Sequence, residues 1–267
     1  MSKEQTVINE KVFRIGDNAR KIEFIKKFAN IPESIIVKSA VVAKENPYHN
    51  FGHQLGATED AILIALQENV SPEERYILAF TMLFHDAQHT GVMRVQDEML
   101  AMITMFQVSS DTDFTASGFP LEKAKAMARD IGLATIFSNH RKSTNKLHQI
   151  AQDADLAHVG HGPYRWVWAS MGLMDEFNRT RDTKLTPKEF LQKEQRKFIE
   201  FILSTSPDRQ FWITEGATQI LGNPADDLLF IESLSDEAIQ YAYDARFKNI
   251  PLSEFKERIQ ELIGVPQ

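Results

Sequence analysis

Four of the eight histidines in this 267-residue chain fall in two short stretches. Pro47-Tyr48-His49-Asn50-Phe51-Gly52-His53 sets two imidazoles four residues apart. His85-Asp86-Ala87-Gln88-His89 repeats that spacing, with a carboxylate beside the first ring. Residues four apart share a face in helical backbone, so each pair is expected to present its nitrogens on one side of a helix. Further on, Asp153 and Asp155 lie two apart among apolar neighbours, and His140 sits between the blocks. Acids avoid apolar faces unless they are paired or bound to metal. Imidazole and carboxylate together suit zinc, iron or manganese, and more oxygen suits magnesium. A carboxylate can also bridge two ions. Any one of these histidines alone would be explained by ordinary hydrogen bonding, but two spaced pairs followed by an acidic pair favour a metal centre.

The totals narrow the setting. There is no cysteine, which removes disulfides, thiolate ligands and cysteine nucleophiles together. The amino-terminal stretch has no apolar run followed by a cleavage site, and no apolar run approaches the length of a membrane span. A cytoplasmic protein without a membrane partner is therefore expected. The formal net charge is -7, with the two signs mixed along the chain. A duplex nucleic-acid partner would want a clustered basic face, and none is present. A small anionic substrate is still allowed, because a bound metal can outweigh the global sign.

Helical periodicity must position these groups. Helices are expected over Asp17 to Asn30, over Gly52 to Asn69 with Leu55, Ile62, Leu63 and Leu66 on one face, and from the Ser71-Pro72-Glu73-Glu74 start toward His85. Ile35 to Val42 reads as a strand or a buried connection. Val92 to Val108 is a helix, Ser109 to Gly118 a loop, and Leu121 to Asp130 and Gly132 to Arg141 two further helices. Leu147 to His158, Tyr164 to Phe177 and Pro187 to Leu203 follow, then Asp208 to Leu221, Ser235 to Ala245 and Pro251 to Ile263. The fold class is all-α, a compact multi-helix arrangement forming one domain over 1–267.

The blocks resemble the HD-domain metal-dependent phosphohydrolases and, in detail, the catalytic domain of the class I 3',5'-cyclic nucleotide phosphodiesterases. Tyr48-His49-Asn50-Phe51-Gly52-His53 matches that family's Tyr-His-Asn, two residues, His. His85 to Gly91 matches its His-Asp, two residues, His, one residue, Gly. Ala134-Thr135-Ile136-Phe137-Ser138-Asn139-His140 is similar to its Ala-Thr-Asp-Met-Ser-x-His, with Ile136 in place of the aspartate. Ala154-Asp155-Leu156-Ala157 follows its Ala-Asp-Leu block and diverges at His158, which favours Asp155 over Asp153 as a ligand. Tyr164-Arg165-Trp166, Asp175-Glu176-Phe177 and Gln195-Arg196-Lys197-Phe198-Ile199 carry the likeness on, over residues 45–215 in all.

The resemblance implies an HD/phosphodiesterase-type fold and two divalent ions. The first, zinc, iron or manganese, would be held by His53, His85, Asp86 and Asp155. The second, magnesium or manganese, would also touch Asp86, with His89, His140 and Asp153 as neighbours of its water shell or as further ligands. His49 is implied as general acid, with His89 beside it. Gln195 would hydrogen-bond a purine and Phe198 stack on it. The implied reaction opens a 3',5'-cyclic nucleotide to the 5'-monophosphate by attack of a metal-bridging hydroxide. Three alternatives share the same residues. A broader HD phosphohydrolase would act on another nucleotide or phosphoester, with Arg94, Arg141 and Lys142 as phosphate grips. A diiron oxygenase would use His89 and His140 as direct ligands. A non-catalytic protein would only bind a nucleotide. A homodimer is allowed, since twofold pairs are the commonest oligomers.

Overall fold

The computed structural model describes residues 18–92, 95–179, 181–248 and 250–264. Arg94, Asp17 and most of the stretch read for a targeting signal lie outside them. Every regular element among the described residues is helical, as the periodicity predicts. None of these helices is long and apolar enough to cross a membrane. The chain sorts into two compact units: Met1–Leu156 with Ile213–Ile220, and Ala157–Trp212 with Leu221–Gln267.

The first unit comprises α1 (Asn18–Ala29), α2 (Glu33–Val42), α3 (Phe51–Gln67), α4 (Pro72–Phe84), α5 (Val95–Val108), α6 (Asp111–Thr115), α7 (Leu121–Ala134), α8 (Lys146–Asp155) and the short helix Glu215–Ile220. Its centre is the α3–α4 pair. α3 also packs on α1, α8 and Glu215–Ile220, and α4 on α7. The Ser71 hydroxyl opens α4 by accepting the Glu74 N–H and donating to the Glu74 carboxylate at 2.9 Å, with Pro72 in the first turn. From Tyr76 to Phe84 every residue of α4 is buried, and so is every residue of α3 from Gln54 to Ile62. The expected single face on α3 is thus too narrow: Leu63 and Leu66 are half-buried, while Ile64 and Ala65 are fully inside. Gly56, Ala57, Thr58, Ala61 and Ala65 are small enough for neighbours to close round the whole helix. Burial on all sides erases the amphipathic pattern.

Other boundaries shift for local reasons. Ile35 to Val42 is helical despite its β-branched residues, as the interior of α2. The Ser109 to Gly118 loop contains α6, opened by a Ser110–Asp113 capping box. α7 runs unbroken through Gly132, where a break was expected. A Cβ there would come within 1.9 Å of the Met102 sulfur, so the glycine makes room for α5 and does not end the helix.

In the second unit, α9 (Pro163–Arg179) packs against the helices Pro224–Ser233, Asp236–Phe247 and Leu252–Leu262. The expected Pro187 to Leu203 helix is a composite. A Thr186–Glu189 capping box opens Pro187–Glu189, a π-helical turn follows at Phe190–Gln195, and an α-helix continues over Arg196–Thr205. The wider turn breaks the 3.6-residue phase, so one hydrophobic stripe cannot describe the whole segment. The expected Asp208 to Leu221 helix shrinks to Glu215–Ile220, and a separate helix forms at Pro224–Ser233.

Phe80 anchors the first unit. It is fully buried, with ring centroids 5.0 Å from Phe114, 5.5 Å from Phe84 and 6.4 Å from Tyr76. Phe80→Ala is expected to lower unfolding free energy by about 3–5 kcal/mol in urea titrations. A loss below about 1 kcal/mol would show that this aromatic cluster does not hold the unit together.

Candidate metal centre

The histidines sit at helix ends. Asn50, in extended backbone, caps α3 by accepting the N–H groups of Gly52 and His53 at 2.9 and 3.2 Å, and its own amide donates to the Asn46 carbonyl. His49 therefore lies outside the helix and His53 in its first turn. α4 ends at Phe84, and the chain turns tightly through His85 to Gln88, with Gln88 at φ +67° and Gly91 at φ +74°. The expectation that each pair shares a helical face is corrected here. The bends before α3 and the turn after α4, not helical pitch, set where His49 and His89 point.

The turns send the rings in different directions. His85 Nδ1 lies 2.7 Å from the Met82 carbonyl. A carbonyl can only accept, so Nδ1 carries the proton and the Nε2 lone pair faces the other way. That lone pair lies 3.1 Å from Asp86 Oδ2 and 3.1 Å from Asp155 Oδ1. His53 Nε2 reaches the same two oxygens at 3.1 and 3.4 Å. His89 turns elsewhere: its Nδ1 accepts the Gly91 N–H at 3.0 Å, and Nε2 lies 3.6 Å from Asp97. The His89 ring stacks on His49 at 3.8 Å between centroids.

His53, His85, Asp86 and Asp155 thus converge, with one ligand atom of each within 4.8 Å of all the others. His53 Nε2 and Asp86 Oδ2 are buried and make no hydrogen bond. Burial opposes the charged form of His85, yet the carboxylates of Asp86 and Asp155 outweigh it and raise the pKa well above the usual imidazole value. Burial likewise opposes ionisation of Asp86 and Asp155, and the facing imidazoles hold both well below the usual carboxylate range. A site that draws positive charge this strongly, with inward atoms unsatisfied, fits a cation. Two nitrogens and two carboxylate oxygens suit zinc, iron or manganese. Asp155 keeps 25% of its side chain accessible, against 9% or less for the other three, so the cluster opens on that side.

The other candidates divide. Asp153 is spent on structure. Its carboxylate accepts the N–H of Ile213 at 2.9 Å and the N–H and hydroxyl of Thr214 at 2.8 Å each, tying α8 to the start of Glu215–Ile220. Burial raises its pKa to about 6 against those donors. His140 is half-buried, and its Nε2 is enclosed without a partner. Burial, helped by the Arg141 charge, lowers its pKa to about 4, so the ring is neutral at pH 7. Ile136, where the resembled family has an aspartate, is buried. Arg141 is half-buried and Lys142 lies in the turn after it. Gln195 and Phe198 belong to the second unit. Gln195 is 5% exposed, and its Oε1 accepts the Trp166 indole N–H at 2.8 Å. Phe198 is half-buried, 6.3 Å from the Phe211 ring.

Sequence reasoning missed Glu98. Its Oε2 is buried without a partner, and burial, reinforced by the charges of Asp86, Asp155 and Asp97, pushes its pKa up to about 7. In the sequence it passes as one of the acids common in a first helical turn.

No family model and no curated protein sequence matches the chain. A solved structure does: the phosphodiesterase domain of the RhoPDE fusion protein from the choanoflagellate Salpingoeca rosetta, at TM-score 0.56 and 16% identity, over 98% of this chain and 93% of that one. The chain has a phosphodiesterase-type fold. At this identity the likeness concerns the fold, and the chemistry rests on the residues described above.

Glu98 gives a pH signature in the metal-free protein. Its folded pKa lies above its unfolded value, so ionisation disfavours the fold progressively as pH rises from about 4.5 through about 7. Glu98→Gln should therefore raise the melting temperature at pH 8, and the gain should shrink as pH falls toward 5. A gain independent of pH, read by thermal melts across that range, would reject this reading of Glu98.

Proposed function

We propose that the chain is a metal-dependent phosphodiesterase that opens a 3',5'-cyclic nucleotide to the 5'-monophosphate. The carrying observation is the convergence of His53, His85, Asp86 and Asp155, in which His53 Nε2 and Asp86 Oδ2 are buried without hydrogen-bond partners, within a phosphodiesterase-type fold. These four residues would hold one ion, and Asp86 would also touch a second. Divalent ions bound there supply an activated water and neutralise charge that builds on the phosphoryl oxygens.

The remaining work falls to side chains. The leaving group is the ribose 3'-oxygen, a poor one unless protonated. His49 is assigned to donate that proton, the O3'–P bond breaking as a new P–O bond forms to water. Stacking on His89 restrains the His49 ring, while Asp97 and the Gly91 N–H restrain His89.

Gln195 and Phe198 are assigned to the base, the ring stacking and the amide hydrogen-bonding the purine edge. The Trp166 contact supports one amide orientation. An indole N–H only donates, so Oε1 faces Trp166 and Nε2 is left as a donor for an acceptor on the base.

The test is product analysis with cAMP and cGMP, using protein loaded separately with manganese, magnesium or zinc, beside a chelated control. Metal-dependent release of the 5'-monophosphate is expected. Asp86→Asn should abolish it together with metal content. His49→Ala should lower kcat by about 100-fold to 10,000-fold with metal content retained. Loaded protein that turns over neither nucleotide would overturn the cyclic-nucleotide assignment and point to another phosphoester.

A further inference from the structure

The amide of Gln152 is almost completely buried, and its two N–H groups and its oxygen are all engaged. Nε2 donates to the Ala134 carbonyl at 2.8 Å and to the Asn139 carbonyl at 3.0 Å, and Oε1 accepts the Arg141 N–H at 3.2 Å. Ala134 is the last residue of α7, whose carbonyl has no partner within the helix. Asn139 and Arg141 flank His140. One side chain therefore grips the backbone on both sides of that histidine. The grip is needed because this segment has little regular structure to hold it. It is a single 3₁₀ turn, Phe137–Asn139, followed by Arg141 at φ +61°. The clamp is also tied to the metal cluster, since Gln152 and Asp155 lie three residues apart on α8, one turn along the same side.

We propose that Gln152 is a positioning residue that sets the His140 imidazole relative to Asp155, and through it the water-rich side of the metal centre. The inference rests on the two-ion reading above. The chemistry of the clamp is exacting. Its three partners are two acceptors and one donor, which an amide matches in one orientation only. A carboxylate would oppose both carbonyls, and an apolar side chain of the same length would make none of these three hydrogen bonds, leaving the Asn139 carbonyl with only the Lys142 N–H at 3.0 Å. His140 itself offers a neutral ring with an enclosed, unpartnered Nε2, suited to hydrogen-bond a water held at the cluster. Gln152 touches neither substrate nor ion, and its effect passes through His140.

A double-mutant cycle tests this with metal binding, not turnover, as the readout. Mn2+ is titrated calorimetrically into metal-free wild-type protein, Gln152→Met, His140→Ala and the double variant, with folding checked by circular dichroism. Wild-type protein should bind in a tight and a weaker step. Each single variant should weaken the weaker step by about 10-fold to 100-fold and leave the tight step unchanged. The double variant should be no worse than either single one. Additive losses, loss of the tight step, or an unaltered weaker step in Gln152→Met would overturn the inference. So would a single Mn2+ step that ignores His140→Ala. If Gln152→Met does not fold, Gln152→Asn, which keeps the amide but shortens its reach, enters the same cycle. Protein that follows the expected pattern yet hydrolyses no cyclic nucleotide keeps the clamp and loses the proposed reaction.

Discussion

Two carboxylates and two imidazole nitrogens held 3.1–3.4 Å apart do not stay together without positive charge between them. Much of the first unit is arranged around that constraint. The tautomer of His85 follows from the Met82 carbonyl, so its lone pair has one direction in which to act. A proton shared among the four groups could relieve the repulsion, but it would satisfy only part of the set. The buried atoms without hydrogen bonds, His53 Nε2 and Asp86 Oδ2, belong to different residues and face a common point. A cation with several coordination positions answers all four at once, which is why the geometry speaks for metal more strongly than any single pKa does.

The ligands come from helix ends. A helix interior offers side chains only at fixed angular steps, whereas its termini allow the backbone to turn. His53 follows the Asn50 cap, His85 and Asp86 follow the end of α4, and Asp155 closes α8. The helices themselves supply rigidity. α3 and α4 are buried on all sides over much of their length, and burial at that density leaves the ends little freedom. The cluster is thus set by short segments carried on closely packed helices.

That division explains what could be read from the sequence. The ligand types were legible, since few other arrangements ask for paired histidines with acids among apolar residues. Helical content was legible as well, and so were the starts at Ser71-Pro72 and at Pro187, because the chemistry of a helix start is local. The supposed helical pairing of His49 with His53 and of His85 with His89 was not correct, because a spacing of four does not reveal where a helix stops. The single face assigned to α3 failed for the opposite reason: small residues let partners close on every side, and no stripe survives. Glu98 was hidden because its sequence setting has an ordinary explanation. The π-turn at Phe190–Gln195 leaves no compositional mark.

Asp153 and Asp155 show how much a direction decides. Both are acids on α8, equally conspicuous in the sequence. On a helix, residues two apart point about 200° from one another, so they cannot serve one ion together. Asp155 turns to the imidazoles, and Asp153 takes the backbone donors of Ile213 and Thr214. Gln152, between them and the loop before α8, takes the peptides around His140. One helical turn therefore joins three tasks: ligating, bracing a neighbouring helix start, and orienting a neutral histidine. The positions differ in what they can tolerate. A ligand must keep its charge, whereas Gln152 must avoid one, because its partners are two carbonyls and an amide N–H that only an uncharged donor–acceptor group can satisfy. The loop before α8 is consequently held by hydrogen-bond polarity, and the charge of the cluster is left to the groups that face the ion.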